Sequence, residues 1–148
     1  MAKYIVEFIG TFFLVFTIGI VALDPQIGLF APIAIGTVLM ALIYAGGHIS
    51  GAHYNPAVTV CFWLRGKCKT IDVPFYIIFQ LLAAVGAAYL VLFLKGFPEI
   101  YTAEIPVIES LIAEFLFTFA LCFVILNVAT SKSTEGNNYY GLAIGFVV

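Results

Sequence analysis

The residues best equipped for chemistry in this sequence stand together inside an apolar stretch. From Pro25 to Leu64 the chain carries no formal charge, yet the centre of that stretch reads YAGGHISGAHYNPAVTV, Tyr44 to Val60. Asn55 is a favoured helix N-cap and Pro56 suits the first helical position, where its missing N–H would be unpaired anyway. A helix is therefore expected to start here, with Asn55 capping through its oxygen and its NH₂ left free to donate. Just upstream, an extended backbone through Gly51, Ala52, His53 and Tyr54 would present carbonyl acceptors. The helix macrodipole places partial positive charge at the same point, which repels cations in a low-dielectric passage. A file of acceptors ending at one amide donor suits small neutral molecules that both give and take hydrogen bonds. Water and polyols qualify; ions, costly to strip of water, do not.

The remaining polar residues within apolar segments offer less. Glu7 and Glu114 are ionisable groups inside long apolar runs and so functional suspects, a proton relay among the options. Their symmetric placement and the lack of a His or Lys partner nearby favour a bracing role. His48 and His53, five apart with no third ligand, make a poor metal site and read as satisfied loop histidines. Gln80 reads as an interior hydrogen-bonding residue. Cys61, Cys68 and Cys122 have no paired spacing, so neither a disulfide framework nor a metal centre is expected. No cofactor is implied, and no nucleophile constellation points to an enzyme.

Composition fixes the solvent that must surround these residues. Apolar types make up 64% of the 148 residues and charged types only 9%, with a mean hydropathy of +1.15. Soluble domains carry about a quarter charged residues, so a polytopic helical membrane protein is predicted. The net charge of −2 argues against a nucleic-acid partner. Lys3 precedes an apolar run too long for a signal peptide, with no small-residue cleavage pattern after it.

The expected spans are Tyr4 to Leu23, ended by Asp24-Pro25; Leu29 to Ala45, interrupted from Gly46-Gly47; Val73 to Leu94; and Pro106 to Thr130. A polar loop from Ser131 to Asn138 precedes a fifth apolar helix beginning at Tyr139. Between spans two and three, Pro56 to Leu64 would form a helix of roughly 14 Å, half of a ~30 Å hydrocarbon core. A helix that short, returning to the side it came from, starts near the midplane. Irregular backbone survives at that depth only when protein buries it or when it lines a wet cavity. The glycines at 46, 47 and 51 suit the tight turns of such a re-entrant loop. With the N-terminus cytoplasmic, Lys3, Arg65, Lys67, Lys69 and Lys132 all lie inside and only Lys95 outside, as the positive-inside rule requires.

Two pairs of segments repeat. VEFIGTFFLVF at Val6 to Phe16 is matched by AEFLFTFALCF at Ala113 to Phe123, and IAIGTV at Ile33 to Val38 by LAIGFV at Leu142 to Val147, at offsets of 107 and 109 residues. With three spans per copy the two copies must run in opposite senses through the membrane. Residues 1–95 then form one repeat, with half-helix 56–64, and residues 106–148 part of a second, in a single transmembrane domain spanning 1–148.

At the Asn-Pro-Ala box the sequence resembles the major intrinsic protein family, the aquaporins and glycerol facilitators, and most of all its bacterial aquaporin-type members. GGHISGAHYNPAVT, the EF(I/L)xTF starts of spans one and four and YIIFQLLAA in span three carry the resemblance over the whole chain. It implies an inverted-repeat helical bundle in which Asn55, Pro56 and Ala57 form the first of two boxes meeting at mid-pore. It makes the carbonyls of Gly51, Ala52, His53 and Tyr54 a pore-lining ladder. Glu7 and Glu114 match glutamates that brace the re-entrant loops by accepting backbone N–H bonds. Ile35 falls at the outer selectivity constriction, where water-specific members usually carry phenylalanine, so strict water selectivity is not implied. Cys61 stands where a small residue is usual. The resemblance also implies a homotetramer in a bacterial inner membrane.

By the repeat offset, the second box should lie near position 164, beyond Val148, together with the arginine that follows it. The chain is therefore expected to be a fragment. The functional expectation is a passive channel for water and small neutral solutes such as glycerol, formed by the complete protein. The alternatives are a non-conducting truncated membrane protein and a secondary transporter using Glu7 or Glu114.

Overall fold

The computed structural model describes residues 1–22, 24, 26–97 and 106–148, and these contain helices and no strand. Helix α1 (Ala2–Ala22) is followed by a short 3₁₀ turn and α2 (Ala31–Ser50). The brief α3 (Pro56–Leu64) comes next, then α4 (Asp72–Leu94), α5 (Val107–Thr130) and α6 (Tyr140–Gly145). Four helical segments of 21 to 24 residues are long and apolar enough to cross a membrane: Ala2–Ala22, Gly28–Ser50, Asp72–Leu94 and Val107–Thr130. At 1.5 Å per residue each matches a hydrocarbon core of ~30 Å. Leu23 and Pro25, at the expected end of span one, and the polar connection at 98–105 lie outside the described residues.

Local chemistry explains most of the boundaries. Pro32 sits in the first turn of α2, and Gly51 closes that helix in the left-handed conformation (φ 89°), its N–H bonding the Gly47 carbonyl. This corrects one expectation. The second span does not stop at Gly46-Gly47 but continues helically to Ser50, because Gly46 is used for close packing against Tyr54 and only Gly51 turns the chain. Asp72 begins α4, where its charge complements the helix N-terminus. The half-helix is a separate nine-residue element, neither fused to α2 nor free of the bundle, with Val58, Thr59 and Phe62 buried.

Helix α1 packs between α2 and α4, α3 between α4 and α5, and α6 against α2 and α5. The buried face of α4 reads Asp72, Tyr76, Gln80, Ala83, Ala87, Val91, a helical spacing of three and four. The core under the half-helix joins Leu39, Ile43, Val58, Phe62, Cys122, Ile125 and Ile144. Most other large apolar side chains point outward, Leu29, Val85 and Phe117 among them. Such a surface belongs in lipid or against more protein. From Pro106 to Phe117 every residue is exposed.

Polar contacts order the ends of the bundle. Lys3 Nζ lies 2.6 Å from Asp72 Oδ2, and the Tyr4 hydroxyl donates to Asp72 Oδ1 at 2.7 Å. Arg65 Nε donates to Thr130 Oγ1 at 3.4 Å. The start of α1, the start of α4 and the end of α5 thus share one end, so α1 and α5, which carry the first repeated segments, run antiparallel. The second repeated segments also run antiparallel and touch backbone to backbone. A Cβ on Gly36 would collide with the Gly145 carbonyl oxygen, and one on Gly145 with that of Gly36.

A candidate pore loop and its anchorage

Between α2 and α3, five residues form a loop whose amides turn inward. Ala52 N–H donates to Ser50 Oγ at 3.0 Å, His53 N–H to Glu7 Oε1 at 2.9 Å and Tyr54 N–H to Glu7 Oε2 at 2.7 Å. Across a trans peptide the preceding carbonyl points opposite to the N–H. The carbonyls of Gly51, Ala52 and His53 therefore face away from Glu7 and Ser50. The expected extended backbone is corrected here: Ala52 (φ 52°) and Tyr54 (φ 51°) are left-handed, as is Gly51. Left-handed L-residues cost about 1–2 kcal/mol each. Turning two successive amides onto one carboxylate requires that geometry, and the charge-assisted bonds offset its cost.

Glu7 is fully buried. Gln80 Nε2 donates to its Oε2 at 2.8 Å as a third donor, and also to Thr59 Oγ1 at 3.0 Å. The Thr59 hydroxyl gives its one proton to the Asn55 carbonyl at 3.1 Å. His53 Nδ1, 3.2 Å from the same oxygen, must then be the donor, which fixes the Nδ1–H tautomer. The imidazole lies 4.3 Å from the Phe62 ring and 4.9 Å from the Tyr76 ring, and the Tyr76 hydroxyl donates to the Ser50 carbonyl at 2.7 Å. Two buried oxygens nearby, Thr11 Oγ1 and Gln80 Oε1, have no partner among the described residues.

Tyr54 wedges the loop in place. Its hydroxyl donates to the Leu42 carbonyl at 2.9 Å, and its ring occupies space left by Gly10 on α1 and Gly46 on α2, where a Cβ would overlap it. Gly10 lies near the middle of α1, so the half-helix begins at about half the depth of the bundle. Asn55 (φ −151°, ψ 132°) caps α3, its Oδ1 accepting from Ala57 N–H at 2.8 Å. Asn55 Nδ2 has no hydrogen-bond partner among the described residues. Pro56 and Ala57 form the first turn.

A cavity of about 700 Å³ reaches from Gly51 and Ala52 to the cationic end, with Gly47, His48, Lys67 and Lys132 on its walls. The side chains of His53 and Tyr54 turn away from it into the helix interfaces. Ile35 is half-buried on α2, about 22 Å of helix from the loop. Glu114 is exposed on α5 and makes no hydrogen bond among the described residues. The structure thus gathers Glu7 and residues 51–57 into one site and leaves Ile35 and Glu114 apart from it.

These contacts make sense of a sequence match. The family model for major intrinsic proteins aligns with residues 1–148, the entire chain. The chain belongs to the major intrinsic protein family. A probable aquaporin of NIP type from Nicotiana alata is 38% identical over 157 residues, covering 100% of this chain and 58% of that protein. Nodulin-26 from Glycine max is 37% identical over 155 residues, covering 98% and 57%. Aquaporin NIP1-3 from Oryza sativa subsp. japonica is 41% identical over 157 residues, covering 99% and 54%. The chain spans little more than half the length of these curated relatives. All three are plant proteins, and two of them are named as aquaporins. As a major intrinsic protein, the chain is an integral, multi-pass membrane protein.

Sequence reasoning missed Ser50, Thr59 and Tyr76 in this family member's loop and its supports, and Asp72 as the partner of Lys3 and Tyr4 at the end of the bundle. One signal was present: Asp72, Tyr76 and Gln80 recur every four residues in an otherwise apolar helix, which puts three polar groups on one buried face.

Proposed function

We propose that the intact protein is a passive channel for water and small neutral solutes, and that residues 51–57 form half of its filter. The observation that carries this reading is the aim of the loop: three amides held by Ser50 and Glu7, their partner carbonyls turned the other way, and Asn55 at the end with a free amide donor. Such a row replaces the hydrogen bonds of a neutral solute one by one, while the start of α3 repels cations. Glu7 acts as a brace. It is buried and engaged by three donors, an arrangement that suits holding a loop better than relaying protons. Glu114 plays the same part for a second loop beyond Val148, where a second Asn-Pro-Ala box and its arginine complete the filter. Ile35 contributes to the outer constriction and admits solutes beyond water.

The cationic end, with Lys3, Arg65, Lys67, Lys69 and Lys132, faces the cytoplasm, as the positive-inside rule favours. The whole protein forms a homotetramer with one pore per subunit. Its placement in a bacterial inner membrane rests on the sequence resemblance, since the relatives above are from plants.

Stopped-flow light scattering on vesicles carrying the full-length protein tests the reading. Osmotic permeability should rise several-fold over empty vesicles and fall back in Asn55→Leu; permeability equal to empty vesicles ends the proposal. A second reading applies to residues 1–148 alone. The uncovered stretch Pro106–Phe117 supports a non-conducting chain, and the same assay on that chain should give no gain.

A further inference from the structure

The chain that leaves the half-helix carries three cations within five residues, Arg65, Lys67 and Lys69, and the hydrogen bonds of the filter loop use none of them. They stand on a built turn. The Phe62 carbonyl accepts from Lys67 N–H at 2.8 Å and from Cys68 N–H at 3.2 Å, with left-handed Gly66 (φ 72°) reversing the chain just before them. The Trp63 indole N–H donates to Thr70 Oγ1 at 3.0 Å, which draws the two ends of the turn together. Asp72 N–H then donates to the Lys69 carbonyl at 2.9 Å as α4 begins. Arg65, Lys67 and Lys69 are exposed on this turn, and so are the apolar side chains at its two ends, Trp63, Leu64 and Ile71.

We infer that this turn is a headgroup clamp for an anionic phospholipid. Charge is the first reason. Lys67 and Lys132 share a cavity wall with Glu135, and the other carboxylate at this end, Asp72, is engaged by Lys3 and Tyr4. The Lys3–Asp72 bridge is the one ion pair among the described residues. Of the three cations on the turn, Arg65 alone makes a side-chain hydrogen bond among the described residues, from Nε to Thr130 Oγ1. The rest of its guanidinium and both ammonium groups are available to a phosphate, which a guanidinium fork can hold by two bonds. Shape is the second reason. The turn lies where a membrane-length helix begins, with tryptophan and aliphatic side chains beside its cations, the arrangement that suits the boundary between headgroups and acyl chains. A soluble anion would leave Leu64 and Ile71 bare; a phospholipid covers them with its chains while its phosphate meets the cations. The fixed backbone of the turn lowers the freedom lost on binding. The inference rests on the fold and on neither the channel reading nor the side of the membrane this end faces.

The experiment places the full-length protein in phosphatidylcholine vesicles and follows trace spin-labelled phosphatidylglycerol or phosphatidylcholine by electron paramagnetic resonance. Phosphatidylglycerol should be held at the protein surface several-fold more strongly in dilute buffer, and the preference should fade as salt screens it. Arg65→Gln combined with Lys69→Gln should remove most of the preference. Lys95→Gln, a loss of charge at the opposite end of α4, should keep it. Equal retention of the two lipids by the unsubstituted protein, or a preference indifferent to salt, would overturn the inference without any variant. A preference kept by the double variant, or lost as fully in Lys95→Gln, would overturn it as well. So would displacement of the lipid by inorganic phosphate or polyglutamate at constant ionic strength, which would assign the turn to a soluble anion. Both leaflets of these vesicles have one composition and no permeability is read, so failure here leaves the channel proposal standing.

Discussion

Gly36 and Gly145 meet with nothing between them but backbone, each occupying space that a side chain on the other would claim. They are equivalent positions in the two repeated segments, so the repeat is in contact with itself at its own matching residue. Close backbone approach of this kind is how small residues bind helices together in lipid, where no hydrophobic force between helices is available.

Gly145→Val is therefore expected to separate α2 from α6. Overpacking into backbone costs about 1–3 kcal/mol or more, and there is no flexible side-chain end to yield. Denaturant unfolding in detergent micelles should show a loss of that order. Stability within error of the unsubstituted chain would mean that the crossing is not under this steric limit.

Glu7→Gln keeps the shape of the brace but turns one acceptor into a donor facing either His53 N–H or Tyr54 N–H and Gln80 Nε2 together. Leaving a buried donor unpaired costs about 1–3 kcal/mol. Hydrogen exchange at the His53 and Tyr54 amides should accelerate by tenfold or more, while amides in the middle of α4 change little. Unaltered exchange at both would show that the carboxylate does not hold the loop.

Asn55→Ala removes the only side-chain cap of the half-helix. Such losses typically cost about 1 kcal/mol, so a small drop in stability is expected beside a large drop in osmotic permeability of the full-length protein. Equal permeability with and without the Asn55 amide would remove that group from the filter.

Asp72→Asn discharges the pair with Lys3. The partners are 33% and 11% exposed, so solvent screening limits the contribution to under about 1 kcal/mol. The difference from the unsubstituted chain should shrink as salt is raised. A loss that ignores salt would point to the Tyr4 hydrogen bond as the larger part.

The half-helix was readable to the residue, since Asn55-Pro56 at its start and the basic loop at its end are local signals. Membrane spans were readable because apolar length alone announces them. What escaped was the path of the backbone between. Gly46-Gly47 reads as a break by propensity, yet tertiary packing keeps it helical, because Tyr54 needs the space and a glycine in a packed helix costs little beside that contact. Left-handed Ala52 and Tyr54 escaped for the same reason: no local preference favours them, and a carboxylate more than forty positions away imposes them. Thr59 and Tyr76 looked like ordinary residues until the fold placed the loop between them.

The supports of residues 51–55 come from both sides of the loop in chain order. A ribosome delivers Glu7 to the bilayer first, the loop next, and Tyr76 and Gln80 only once α4 has been made. The bonds from residues 52–54 to Ser50, Glu7 and Leu42 need only chain already made, while those of Tyr76 and Gln80 complete the support once α4 stands beside α1.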